Sequence, residues 1–298
     1  MNLLVTGAWS DAKQNIDRLT QMGNSVRFLQ QEKDALPCAY EWVEGVICNG
    51  LFLSHPIERF INLRYIQLTS AGFDRVPMDY VQEHGIEIRN ARGVYSIPMA
   101  EFALCGVLQL YKRSRFFAAN QSRHLWEKHR GLMELNGKTV CIIGCGSVGT
   151  ECAKRFKAFG CDVIGIDLFT RQDENYNDML PLAALDAALP NADITVLTLP
   201  LTEETKHLMS DDRFAKMKQG SVLVNIARGA VVDTEALLNA LKTKLSGAVL
   251  DVFEEEPLSE DSPLWDMENV ILTPHNSFVS DGNAARLDRV ILENLTKI

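Results

Sequence analysis

Short apolar runs alternate with polar-faced stretches along the whole chain, in two series. In the first, residues 3–7, 25–29, 45–49, 64–69 and 86–90 are rich in β-branched or apolar residues, and Gly, Asn or Ser ends or follows all but 25–29, which predicts strands. Residues 11–22 and about 54–61 carry helical spacing between them. A long apolar stretch, 98–120, then predicts one buried helix. Pro98 suits its first turn, where a missing N–H costs nothing. Residues 121–137 are polar and irregular, hold the aromatic Trp126, and end at the turn signal Asn136-Gly137. The second series predicts six strands, at 138–144, 161–167, 193–200, 221–227, 247–253 and 269–274. Helices are expected at 147–159, 182–189, 211–218 and 233–244, with an amphipathic one at 281–296. Strand and helix in alternation predict parallel sheets covered on both faces, so the class is α/β, with two doubly wound parallel-sheet domains.

Composition narrows the partners. Of 298 residues, 46% are hydrophobic and 23% charged, as in ordinary globular proteins. The net charge of −9 disfavours nucleic acid, whose phosphates an acidic surface repels. No apolar run reaches the roughly 18 residues of a membrane span, so no membrane partner is expected. The start, MNLLVTGAWSDAK, lacks a basic region and a long apolar core, which predicts no export signal and a cytoplasmic location. Seven cysteines, an odd number without a C-x-x-C, are expected as buried free thiols. No metal site is expected, since Cys141 and Cys145 have the wrong spacing and no paired His.

Candidate chemistry clusters in the second series. Gly144-Cys145-Gly146-Ser147-Val148-Gly149 follows a strand and opens a helix, and the next strand ends in Asp167, 18 residues past Gly149. That context makes the glycine pattern a dinucleotide fingerprint. Gly144 permits the turn, Gly146 admits a pyrophosphate to the helix N-terminus, and Gly149 allows close packing. A carboxylate at Asp167 would accept from ribose hydroxyls and repel a 2′-phosphate, which favours NAD; Arg171, four residues on, argues mildly the other way. Arg228, Glu256 and His275 each sit just past a predicted strand, where α/β sheets bind ligands. Arg228 is placed to hold a carboxylate, or to make an ordinary surface ion pair. Glu254 and Glu255 read as a solvated loop.

The chain resembles the D-isomer-specific 2-hydroxyacid dehydrogenase family over essentially its whole length. The resemblance is carried by Lys138–Gly149, by Leu199-Pro200-Leu201-Thr202 with Thr205, and by Met217-Lys218-Gln219-Gly220 running into Asn225-Ile226-Ala227-Arg228-Gly229. Asp251-Val252-Phe253 through Glu256-Pro257, and Pro263-Leu264-Trp265 through Asn269-Val270-Ile271 to Thr273-Pro274-His275, complete it. It implies a flavodoxin-like substrate domain, 1–95 plus 279–298, and a Rossmann NAD-binding domain, 96–278. The implied activity is NAD-dependent interconversion of a 2-keto acid and a D-2-hydroxy acid. His275 is the implied acid/base, Glu256 the carboxylate that assists it, and Arg228 the substrate anchor. Cofactor contacts are implied at Gly144, Gly146, Ser147, Val148, Gly149, Asp167, Leu199, Pro200, Thr205, Ile226, Ala227, Asp251 and His275. Asp251 is implied to meet the nicotinamide end. Substrate contacts are implied at Ser70, Ala71, Gly72, Arg228 and His275, with Tyr95 and Ser96 near the site. After His275 the family often has small residues, whereas this chain has Asn276-Ser277-Phe278. The 23 residues that follow His275 are expected to be too few for the extra regulatory domain of some phosphoglycerate dehydrogenases.

Three other readings remain. An NADH-binding corepressor-like protein without turnover would show an added tail or a peptide groove. A formate dehydrogenase-like enzyme would pair its His with Gln, against Glu256. A plain NAD-binding structural domain leaves Arg228, Glu256 and His275 without a task. The substrate stays open: Arg75 and Arg92 would suit a phosphorylated acid, or be ordinary surface residues. A homodimer built on 98–120 is expected, because so long an apolar helix would need a partner.

Overall fold

The computed structural model describes residues 1–297, so Ile298, the end of the expected segment 279–298, lies outside the described residues. The chain divides into two compact units. Met1–Tyr95 joins the segment from Ser280 onward, and Ser96–Val279 forms the other.

The first unit holds β1 (Asn2–Thr6), α1 (Ala12–Gln21), β2 (Ser25–Leu29), β3 (Gly45–Cys48), β4 (Tyr65–Leu68), α2 (Met78–Glu83) and β5 (Glu87–Arg89). Its sheet is parallel, in the order β2-β1-β3-β4-β5. The inner strands β3 and β4 are buried along their whole length, which is why they read as apolar runs without alternation, while the edge strand β2 alternates. The order reverses between β1 and β3, the arrangement of flavodoxin-like sheets. The expected helix at about 54–61 is instead a single 3₁₀ turn, Ile57–Arg59, with Pro56 just before it; another such turn, Leu51–Leu53, precedes the expected span.

The second unit begins with α3 (Ser96–Tyr111) and α4 (Ser114–Ser122). It continues through β6 (Thr139–Ile143), α5 (Ser147–Ala158), β7 (Asp162–Asp167), β8 (Asp178–Pro181), α6 (Leu185–Ala188) and β9 (Ile194–Leu197). Then come α7 (Asp211–Lys216), β10 (Val222–Asn225), α8 (Thr234–Thr243), β11 (Gly247–Leu250) and β12 (Val270–Leu272). The parallel order β12-β11-β10-β9-β6-β7-β8 is the Rossmann order with one more strand at an edge. The sheet has seven strands where the pattern predicts six. The added β8 is a partly exposed edge strand, with no apolar run to announce it. The expected helix at 182–189 is a chain of single turns from Leu182 to Asn191.

The stretch 98–120 is not one helix. The polar Lys112-Arg113-Ser114 interrupts it, with Arg113 in the left-handed region at φ 52°. The apolar face of α3 is covered inside its own unit: Ala103, Val107 and Tyr111 pack with α5 residues and Val249. Gly106 is required there, since a Cβ would stand 2.8 Å from Val249 Cγ2. The length argument for a second subunit therefore falls away. α9 (Asn283–Leu295) belongs to the first unit, where Leu287, Ile291 and Leu292 meet Leu3, Val5 and Trp9. Cys105 is exposed and Cys38 half-buried, against the expectation of uniformly buried thiols. Burial pushes the Cys141 and Cys152 thiols up to about 12.

Candidate active site

The glycine-rich turn follows the physics of a dinucleotide cradle. Gly144 has φ 94°, and a Cβ there would lie 2.7 Å from Leu199 N. A Cβ at Gly149 would overlap Gly144 O, so α5 sits hard against the turn. By contrast, a Cβ at Gly146 would meet no protein atom within 4 Å. That open side, at the N-terminus of α5, is room for an anion, and the residues present fit a dinucleotide. Asp167 ends β7 and accepts from Cys145 N at 2.6 Å and Phe169 N at 3.1 Å, which ties it to the same turn. Arg171 Nη2 donates to Cys145 O at 2.9 Å, Thr150 Oγ1 at 3.2 Å and Asp173 at 3.0 Å. The counter-signal of the sequence is thus spent on bracing the turn. Partial burial acts to raise the pKa of Asp173, but Asn175 and Arg171 outweigh it and hold it low.

Leu199, Thr205, Ile226 and Ala227 are buried. Thr205 Oγ1 donates to Pro200 O at 2.8 Å and accepts from Thr202 N at 2.7 Å, which closes the loop after β9.

Past β10, Asn225 organises the turn that presents Arg228. Its Oδ1 accepts from Ala227 N at 3.1 Å and its Nδ2 donates to Arg228 O at 3.1 Å. Arg228 is half-buried, and its Nη1 donates to Ala227 O at 2.8 Å. Past β11 and β12, Glu256 Oε2 and His275 Nδ1 lie 2.8 Å apart. A carboxylate only accepts, so Nδ1 carries a proton and Nε2 is left as the atom that gives or takes one. His275 stands in the left-handed region at φ 50°, held by its N–H to Asp251 O at 2.8 Å. Phe278 meets the His275 ring edge-on, with centroids 6.2 Å apart.

Asp251 is fully enclosed, and Thr273 Oγ1 at 2.6 Å, Asn276 N at 2.8 Å and Ser277 N at 2.9 Å donate to its oxygens. It shapes the His275 loop from beneath. Glu254 is not merely solvated: it accepts from His207 at 2.5 Å, from Thr234 N at 2.9 Å and from the Thr234 hydroxyl. Partial burial acts to raise its pKa, but the Thr234 and His207 donors outweigh that and hold it below the usual carboxylate range. The sequence reading passed over His207. Its one signal was a histidine just after Thr205, on a loop already marked for the cofactor.

In the first unit, Ser70-Ala71-Gly72 forms a braced turn past β4. Ser70 Oγ donates to Gly72 O at 3.0 Å, Asn90 Nδ2 to Ala71 O at 2.6 Å, and Tyr95 Oη to Thr69 O at 2.5 Å. Among the described residues no group of three or more His, Cys, Asp or Glu is arranged to hold a metal, and no helix is long and apolar enough to cross a membrane.

Residues 104–277 match the family model described as D-isomer specific 2-hydroxyacid dehydrogenase, NAD binding domain. The chain belongs to that family. A glyoxylate reductase of Thermofilum pendens is 35% identical over 245 residues, covering 80% of this chain and 72% of the relative. A crystal structure of a D-isomer specific 2-hydroxyacid dehydrogenase family protein from Aeromonas salmonicida superposes with a TM-score of 0.85 at 29% identity, covering 99% and 94% of the two chains. D-lactate dehydrogenase from Aquifex aeolicus, solved with NAD and lactic acid, gives 0.78 at 27% identity, covering 99% and 94%. Membership makes this chain a 2-hydroxyacid dehydrogenase family protein whose second unit is an NAD-binding domain.

Proposed function

We propose that this dehydrogenase reduces a small 2-keto acid to the D-2-hydroxy acid, and runs the reverse reaction, with NAD(H) as its cofactor. The observation that carries this reading is the 2.8 Å contact of Glu256 with His275 Nδ1. It is supported by an arginine at the end of the neighbouring strand β10 of the same NAD-binding sheet. Bound NADH supplies the hydride. Arg228 holds the substrate carboxylate, because its planar fork matches that group. His275 donates from Nε2 to the carbonyl oxygen as it gains charge, and accepts the proton back in oxidation. Glu256 keeps the ring oriented through its bond to Nδ1. Ser70, Ala71 and Gly72 are proposed as substrate contacts on the family resemblance alone.

Asp167 supports a preference for NAD(H), since its charge opposes a 2′-phosphate. A homodimer is proposed on new grounds: Phe117, Leu125, Trp126 and Leu132, on α4 and the loop after it, are exposed large apolar residues, with Trp126 96% exposed. The direct test is consumption of NADH against a panel of 2-keto acids, beginning with glyoxylate, the acid that the name of the Thermofilum relative points to. Turnover supports the reading. No NADH consumption with any of them contradicts it.

A further inference from the structure

A second histidine–carboxylate contact lies on the loop that carries Glu256. His207 Nε2 is 2.5 Å from Glu254 Oε1, and His207 Nδ1 is 4.0 Å from Asp233 Oδ2. The other oxygen of Glu254 is held by Thr234, at the start of α8. The proposed reaction uses none of these groups. Yet the pair joins three loops at the carboxyl edge of one sheet. His207 ends the loop of Leu199, Pro200 and Thr205. Its own N–H donates to Ala230 O at 2.7 Å, in the turn just past Arg228. Glu254 stands two residues before Glu256.

The packing at this junction leaves no slack. A Cβ at Gly229 would overlap the Phe253–Glu254 peptide, so the Arg228 turn presses directly on the Glu256 loop. His207 itself is in the left-handed region at φ 49°, which residues other than glycine rarely adopt, so its surroundings impose that conformation. Glu256 Oε1 accepts from Phe253 N at 3.0 Å, and this bond aims Oε2 at His275. The direction of Glu256 therefore depends on where the Phe253–Glu254 backbone lies. Glu254 is the side chain that pins that backbone.

We propose that His207 is a positioning residue for the acid/base pair: by holding Glu254, it fixes the Phe253–Glu256 turn so that Glu256 stays on His275 Nδ1. This rests on the function proposed above. It also ties the cofactor loop after β9 to the proton-handling loop after β11, so that an altered cofactor loop reaches the acid/base pair. The charged groups that face His207 are Glu254 and Asp233, with Lys206 beside it in sequence; Glu256 faces His275.

The test compares His207→Leu with His207→Gln, whose amide keeps an N–H donor, in the full chain. The readings are kcat and KM for the 2-keto acid, NADH binding by fluorescence, the active fraction and Tm. His207→Leu should lower kcat per active site about tenfold or more, as small misplacements of catalytic groups do. KM for the keto acid and NADH binding should change little, because the acid/base pair and not the binding residues is displaced. His207→Gln should restore most of kcat. A purely structural role would lower Tm and the active fraction while leaving kcat per active site unchanged, and that result overturns the inference. So does a fully active His207→Leu. Should His207→Leu not fold, Glu254→Gln carries the same test: a lowered kcat per active site with KM and NADH binding kept supports the inference, and an unchanged kcat overturns it. A wild-type protein inert towards every 2-keto acid would overturn the functional reading, and the inference with it.

Discussion

The proposed proton handling rests on one contact, Glu256 Oε2 to His275 Nδ1. Glu256→Gln keeps an acceptor there but loses the charge-assisted hydrogen bond that holds the ring. It should lower kcat for keto-acid reduction about tenfold or more while NADH binding changes little, and steady-state kinetics at the wild-type rate would contradict the pairing. Arg228→Lys keeps charge but loses the fork, and should cost about 10²-fold in kcat/KM for the keto acid, read by steady-state kinetics. The proposed cofactor preference also belongs to this scale. Asp167→Asn retains an acceptor for Cys145 N–H, so the turn stays intact while the charge goes. It should narrow the preference for NADH over NADPH about tenfold or more, since a like charge opposite a phosphate costs several kcal/mol. Equal ratios for variant and wild type would remove that role. The placement of Arg228 and His275 past strand ends was legible in the sequence, because each follows an apolar run. The burial of Asp251 was not, because a carboxylate at a strand end looks the same whether it faces out or is sealed beneath a loop. His207 and Glu254 were not legible, because their partnership spans 47 residues and belongs to neither motif alone.

Elements were legible where burial was complete. The inner strands β9, β10 and β11 are buried throughout, and a continuous apolar run announces such strands. The edge strand β8 and the break at Arg113 gave no such sign. Backbone pairing decides the first, and a polar tripeptide between two apolar segments the second. The contact of α3 with β11 yields a stability prediction. Gly106→Ala should overpack Val249 and cost about 1–3 kcal/mol, seen as a lower Tm. An unchanged Tm would mean that α3 can slide. At the other end of the sheet, Asp193 accepts from Thr139 N at 3.0 Å and Lys218 at 2.8 Å. Partial burial acts to raise its pKa, but these partners outweigh it and hold it low. A pKa depressed by folding stabilises fully above the unfolded value and is lost as pH falls through the folded one. Stability should therefore drop below about pH 4. Asp193→Asn should cost about 1.5–3 kcal/mol at neutral pH and flatten that acid decline, which thermal melts across pH would read.

The whole molecule is two α/β units, one continuous from Ser96 to Val279 and one assembled from both ends of the chain. The doubled pattern of strand and helix made two sheets legible, because each series carries its own set of buried strands. The return of α9 to the first sheet rests on packing of Leu287 and Ile291, which an amphipathic stretch predicts only as some covered face. Association is the open property at this scale. With α3 covered inside its own unit, the exposed Trp126 segment is the surface expected to pair. Sedimentation should give twice 33.3 kDa for the wild type, with Trp126→Glu shifted towards monomer; a wild-type monomer at micromolar concentration would remove the claim. The central claim is that His275 moves the proton in a 2-keto acid reduction driven by NADH. The most direct measurement follows NADH consumption by wild type and His275→Ala side by side, with NADH binding measured on both. The account predicts a loss of about 10²–10⁴-fold in rate with binding nearly unchanged. A His275→Ala protein that reduces the keto acid at the wild-type rate would contradict it.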